Sequence, residues 1–206
     1  MTRLGAVCSL LRPAGTVADV GCDHGRVALY CARSGMFDAV IASDISDECL
    51  DKARKTLSGL DNVRFICCDG IDYECDEAVI AGMGGVNISE ILARADKLPQ
   101  DLVLCPHRDA EALRRKLVEL GYFIDSDLAV EERGRVYFVM RASRGFRKEL
   151  SELQYRFGVN YDEKCEALQH CLIKLYNIYK KAPEKNADKL RYVCEALRAQ
   201  GLEKYI

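Results

Sequence analysis

Residues 18–25 read ADVGCDHG, an apolar run ending in a glycine turn. Gly21 and Gly25 permit a tight turn and close backbone approach, as in the G-x-G-x-x-G fingerprint of dinucleotide sites. Here Asp23 stands in place of the second glycine and Arg26 in place of the third. A carboxylate in the middle of such a turn repels a pyrophosphate and stabilises a cation within about 4–6 Å. The turn suits a nucleoside cofactor that carries positive charge where others carry phosphate.

S-adenosylmethionine meets that description, with a sulfonium, an ammonium group and no phosphate. Asp19 can hold its amino group, directly or through water, and Asp23 lines the cationic end. Asp44, about 20 residues further on at the end of the next apolar run, can accept from both ribose hydroxyls. Asp69 and Gly70 stand where a carboxylate would read the adenine amino group while a backbone N–H meets the ring. A single acid at a strand end is commonly a cap or turn residue; four at successive strand ends form a pattern. Two Cys-x-His pairs, Cys22 with His24 and Cys105 with His107, lie on the same set of loops. Neither has the two-to-four-residue spacing of structural zinc ligands, so no metal is assigned.

The elements that position these residues follow from the alternation of apolar runs with helix-like segments through residue 144. TVADVG, DAVIASD, NVRFICCDG, EAVIAGMGG and DLVLCPH read as buried strands separated by crossover helices, which implies an α/β fold with a mostly parallel sheet covered on both faces. Ser46 and Asp109 are expected as N-caps, and Gly35, Gly59 and Gly121 as helix stops. YFIDSDLAVEE and RVYFVMRAS, joined by ERGR, read as an antiparallel hairpin closing the sheet. Ligands of open α/β sheets collect beyond the carboxyl ends of the strands. The five odd loops, GCDHG, SD, CDG, GMGG and CPH, should therefore share one crevice.

After Arg144 the period changes. Cys165, Leu168, Leu172, Leu175 and Tyr179 step by three and four, Leu190, Val193 and Leu197 repeat the step, and Pro183 interrupts between them. A helical hairpin with a coiled-coil stripe is expected, preceded by a shorter helix near RKELSELQYRFG. Residues 1–144 and 145–206 are thus read as two domains. The net charge of -2 hides an asymmetry: residues 144–206 hold 13 Lys and Arg against 9 Asp and Glu, a balance of +4, while the rest is acidic. A basic tail on an acidic domain points to an anionic partner, with nucleic acid first. The 11 cysteines are odd in number, scattered and often inside apolar runs, as in a reducing compartment, and no run reaches a membrane span. A cytoplasmic protein without a membrane partner is expected.

With ADVGCDHG, VIAGMGG, LCPH, LVELGYFI, VYFVM and YRFGV in order, the chain resembles the bacterial tRNA (adenine-22-N1)-methyltransferase family nearly end to end. The resemblance implies a Rossmann-like class I methyltransferase sheet of order 3-2-1-4-5-7-6, bound S-adenosylmethionine, and methylation of nitrogen 1 of an adenine in the tRNA D-arm. It places Asp19, Gly21, Asp23, His24, Asp44, Ile45, Asp69, Gly70, Gly82 and Met83 in the cofactor site. Gly84, Gly85 and His107 fall to the substrate, with the glycines letting the base come close. Three departures stand out: Cys22 for the family's usual serine, Gly25 for an alanine, and CPH for the common Gln-Pro-Asn. Asp23 is the first candidate for the catalytic acid beside the ring, and His24 the second. Alternatives are a methyltransferase of the same fold acting on a small molecule or protein, a nicotinamide oxidoreductase, which Asp23 opposes, and a non-catalytic RNA-binding relative. A monomer is expected, with dimerisation through the hairpin left open.

Overall fold

The computed structural model describes residues 1–145 and 149–206. Strands β1 (Ala14–Val20), β2 (Phe37–Asp44), β3 (Val63–Cys67), β4 (Glu77–Ala81) and β5 (Asp101–Cys105) are parallel. Strands β6 (Tyr122–Glu132) and β7 (Arg135–Arg144) form an antiparallel hairpin, with β7 paired to β5. Their order is β3-β2-β1-β4-β5-β7-β6, as expected from the resemblance. Succession runs outward from β1 to β3 and then restarts at β4 beside β1, so the sheet reverses direction between β1 and β4. In open α/β sheets a ligand crevice forms at such a reversal.

Five helices cover the sheet. On one face, α1 (Arg3–Leu10), α2 (Arg26–Ser34) and α3 (Asp47–Thr56) bury Ala6, Val7, Ala28, Cys31, Leu50 and Ala53 against Val17, Val40 and Val79. On the other, α4 (Gly85–Arg94) and α5 (Ala110–Glu119) bury Ile88, Leu92, Leu113 and Leu117 against Ile41, Ile80 and Leu104. Neighbouring strand residues thus serve opposite cores, which is why the strands read as continuous apolar runs. The Ser46 hydroxyl caps α3 by accepting from the Cys49 N–H at 3.4 Å, and Gly35 ends α2 at φ 72°. Gly59 and Gly121 take the left-handed turns beyond α3 and α5. Asp109 departs from expectation. It occupies the N-cap position of α5, but at φ 59° its side chain makes no capping bond and lies 3.4 Å from Arg108.

The hairpin contains a bulge between Ile124 and Ser126. Before it, Tyr122 and Ile124 pack with α4 and α5; after it, Leu128 and Val130 pack with α1 and α2. Asp127, just past the bulge, meets Arg114 of α5 in a fully buried fork, with Nε–Oδ2 2.7 Å and Nη2–Oδ1 3.2 Å. The remaining Arg114 nitrogen donates to the Tyr155 carbonyl at 3.0 Å.

That bond ties the sheet to the tail. Helices α6 (Glu152–Phe157), α7 (Glu166–Tyr179) and α8 (Ala187–Ala199) follow, the first carrying a Ser151–Gln154 capping box. Arg147 and Lys148 of the expected preceding helix lie outside the described residues. Leu168 and Leu172 of α7 meet Val193, Ala196 and Leu197 of α8, but Leu153 and Phe157 of α6 and Ala129 and Phe138 of the hairpin complete the same cluster. The helical pair therefore packs on the sheet edge and does not stand free as a coiled coil. Leu190 is only partly buried, and Cys165 precedes α7 as its N-cap. Among the described residues no helix is long and apolar enough to cross a membrane.

Candidate active site

The loops after the strands meet over the reversal point in a cleft of about 880 Å³. Gly21, Asp23 and Gly25 all have left-handed φ, at 71°, 44° and 66°. The Gly21 and Cys22 N–H groups both donate to the Ser43 carbonyl, at 2.8 and 2.9 Å, which bolts the turn to the end of β2. A Cβ on Gly21 would lie 2.2 Å from Met83 Cε, so the methionine of the fourth-strand loop packs directly on the bare glycine. The backbone angle is what favours glycine here, and a Cβ would push the flexible Met83 methyl away.

Asp19 is buried in β1, where its Oδ2 accepts from the Ala28 N–H of α2 at 3.0 Å. Burial pushes its carboxyl up to about 7; the Ala28 bond opposes this, and Asp44 nearby adds to the rise. Asp44 Oδ2 accepts from the Asp23 N–H at 3.1 Å and Oδ1 from the Ser46 N–H at 3.0 Å. Both acids line the cleft. Each carboxylate oxygen has two lone pairs, so these backbone bonds orient the groups without exhausting them. Asp23 is more exposed and lies 3.7 Å from both Lys52 Nζ and His24 Nε2. Ile45 projects an apolar side chain, 69% exposed, into the same cleft. At the far end Asp69 is held by Arg94 in a two-bond fork of 3.0 and 3.2 Å, beside Gly70 at φ 100°.

The GMGG and CPH loops are zipped together. Gly82 N–H donates to the Cys105 carbonyl at 3.2 Å, His107 N–H to Met83 at 2.8 Å, and Gly85 N–H to Arg108 at 2.9 Å. Gly82 and Met83 line the cleft, whereas Gly84 and Gly85 lie behind it against Arg108 and Asp109. A Cβ at Gly85 would fall 2.4 Å from the Asp109 carbonyl oxygen. His107 Nε2 is 2.8 Å from Arg3 Nη1. A guanidinium only donates, so Nε2 accepts and the neutral ring carries its proton on Nδ1. Burial, with Arg3 and Arg135 nearby, holds this imidazole below its usual range.

Sequence reasoning missed Arg3, Glu132 and Arg133, which line the cleft from α1 and the tip of the β6–β7 hairpin. Glu132 Oε1 accepts the Arg3 N–H at 3.2 Å, and the Arg3 guanidinium sits 4.8 Å from the Tyr137 ring centre. Cys22 and Cys105 are buried, and burial pushes their thiols up to about 12 and about 11, the reverse of a metal-bound thiolate. Among the described residues no three His, Cys, Asp or Glu side chains converge as metal ligands.

Residues 1–140 match the family described as a methyltransferase domain. A Mycoplasma pneumoniae protein provisionally named as a tRNA methyltransferase is 34% identical over 170 residues, covering 77% of this chain and 78% of the relative. The Bacillus subtilis tRNA (adenine(22)-N(1))-methyltransferase is 32% identical over 155 residues, covering 70% of this chain and 65% of its own length. The chain belongs to the bacterial tRNA (adenine-22-N1)-methyltransferase family. A crystal structure of a Streptococcus pneumoniae protein, provisionally named as a tRNA (m1A22) methyltransferase and solved in complex with S-adenosyl-L-methionine, superposes with a TM-score of 0.87 at 25% identity. That match covers 95% of this chain and 98% of the other, so the family fold includes the helical tail.

Proposed function

We propose that this chain methylates nitrogen 1 of adenine 22 in the D-arm of tRNA, with S-adenosylmethionine as donor. One observation carries the reading: in a chain of this family, the buried acids Asp19 and Asp44 share a single cleft with the glycine-bounded Met83 loop. The donor set fits such a cofactor. Asp19 suits its ammonium group, Asp44 its ribose hydroxyls, and Ile45 and Gly70 the apolar faces and edge of its adenine. S-adenosylmethionine, when bound, supplies a methyl group made electrophilic by the adjacent sulfonium.

The rest falls to this chain's own residues. Adenine N1 already owns an available lone pair, so no base is needed to create the nucleophile. The protein must admit the unpaired base, hold N1 in line and exclude water, a gain that comes chiefly from orientation. Met83 and Gly82 form the wall beside which the base lies. Asp23, exposed at the turn, stabilises the positive charge that develops on the methylated ring, and it or His24 takes the amino proton. Residues 1–144 are the catalytic unit, and residues 145–206 are a helical unit whose basic faces contact the tRNA.

The test is incubation with labelled methyl donor and unmodified tRNA, then nuclease digestion. 1-Methyladenosine at position 22 is the expected product. Label on protein or small molecules, or none on tRNA, would overturn the reading.

A further inference from the structure

The tip of the β6–β7 hairpin is a two-residue loop, Arg133-Gly134, closed by the facing pair Glu132 and Arg135. Both loop residues have positive φ, 52° and 73°. Loops of this kind favour glycine at the first position, which lacks the Cβ that makes positive φ costly, or asparagine and aspartate, whose short polar side chains offset the cost by bonding the local backbone. An arginine is a poor choice for the turn itself. Strain at one residue is a pointer to what its side chain does.

Arg133 lines the cleft mouth. Two of the other three arginines of that rim are occupied. Arg3 holds His107 and Glu132, and Arg94 holds Asp69. Among the described residues, Arg133 has neither a hydrogen bond nor an ion pair, and of the remaining rim cations only Arg26 shares that condition. Its neighbour Glu132 is fixed by the Arg3 backbone N–H, so the tip is anchored to α1 while the guanidinium stays free. The floor below is carboxylate-lined by Asp19, Asp23 and Asp44 and suits a cation, so an anion bound by Arg133 stays at the rim.

We propose that Arg133 is an RNA-binding residue: its free guanidinium takes a backbone phosphate of the tRNA next to the nucleotide admitted to the cleft. The proposal rests on the methyltransferase reading above. It explains why a strained arginine occupies the turn, since a planar fork of donors matches a phosphate and a glycine or asparagine offers none.

The test compares wild type with Arg133→Asn and Arg133→Lys, using unmodified tRNA. Asparagine is the residue the turn prefers, so Arg133→Asn should melt at the same temperature as wild type or higher. It should nonetheless raise KM for tRNA about tenfold and reduce the slope of log affinity against log salt by about one, while leaving affinity for S-adenosylmethionine unchanged. Arg133→Lys should keep the slope and recover part of KM. A wild-type KM and slope in Arg133→Asn overturn the proposal. So does a raised KM with an unchanged slope, which marks a base contact, or a lowered melting temperature, which marks a structural role. If wild type itself leaves tRNA unmethylated, the methyltransferase reading fails first and takes this inference with it.

Discussion

Asp19 offers the sharpest test of how the cleft holds its cofactor. Its carboxyl is raised to about 7 by burial, and a cationic guest binds the ionised form. With that value, roughly one molecule in eleven is ionised at pH 6 and about one in two at pH 7. Affinity for S-adenosylmethionine should therefore rise about fivefold over that one unit, with about half a proton released per binding event at pH 7. Isothermal titration in two buffers of different ionisation heat measures both quantities. Asp19→Asn keeps an acceptor for the Ala28 N–H and leaves every other titrating group in place, so it should weaken binding and remove the slope. A pH-independent affinity in wild type, or a slope that survives in Asp19→Asn, refutes the reasoning. The same raised pKa acts on the free fold with a definite sign. Between the ordinary value of 3.8 and about 7 the native state holds more protons than the unfolded one, so this group's contribution to stability is present below that window and lost as pH rises through it.

Three further outcomes follow from other contacts. Asp127→Asn leaves the Arg114 guanidinium buried without its charge partner and should cost about 3–5 kcal/mol, lowering Tm by roughly 6–20 °C in a thermal melt followed by circular dichroism; a shift under about 2 °C would show that water reaches the pair. Gly85→Ala puts a Cβ against the Asp109 carbonyl, where only backbone can yield, and should cost about 1–3 kcal/mol by denaturant titration. Asp23→Ala should lower kcat by about 100-fold or more while weakening cofactor affinity far less, as read from single-turnover rates beside binding titrations; equal losses reassign Asp23 to binding alone.

Much of the cleft was legible in the chain because its residues sit at strand ends. An acid after a continuous apolar run is visible without coordinates, and the sheet order brings Asp19, Asp44 and Asp69 to one side. The wall formed by Arg3, Glu132 and Arg133 was not legible. Arg3 and Glu132 are 129 residues apart in the chain, and each part alone resembles an ordinary surface charge. His107 was singled out, but its Arg3 partner was not, so its neutral state and tautomer could not be argued. The tail's periodicity identified its helices correctly, yet the stripe gave no sign that α7 would rest on Ala129 and Phe138. Arg114 and Asp127 were equally silent. An arginine in a mid-chain helix and an aspartate in an edge strand look solvated until a bulge turns one toward the other.

That one extra residue has wide reach. Side chains alternate along a strand, so an inserted residue reverses parity for everything downstream. Beyond the bulge, Asp127, Ala129 and Glu131 look toward α5 and the tail, where Glu131 meets His170 at 2.8 Å, while Leu128, Val130 and Glu132 look toward α1 and the cleft. Asp125 is the residue skipped in the pairing, and deleting it would let the ladder close regularly with both sets on their present faces. Slipping the downstream strand by one residue would instead exchange them, so that Arg114 loses its counter-ion, Arg3 its anchor, and apolar side chains face the wrong partner. A one-residue slip of register so far from the cleft would thus undo the docking of the tail and the shape of the cleft wall together.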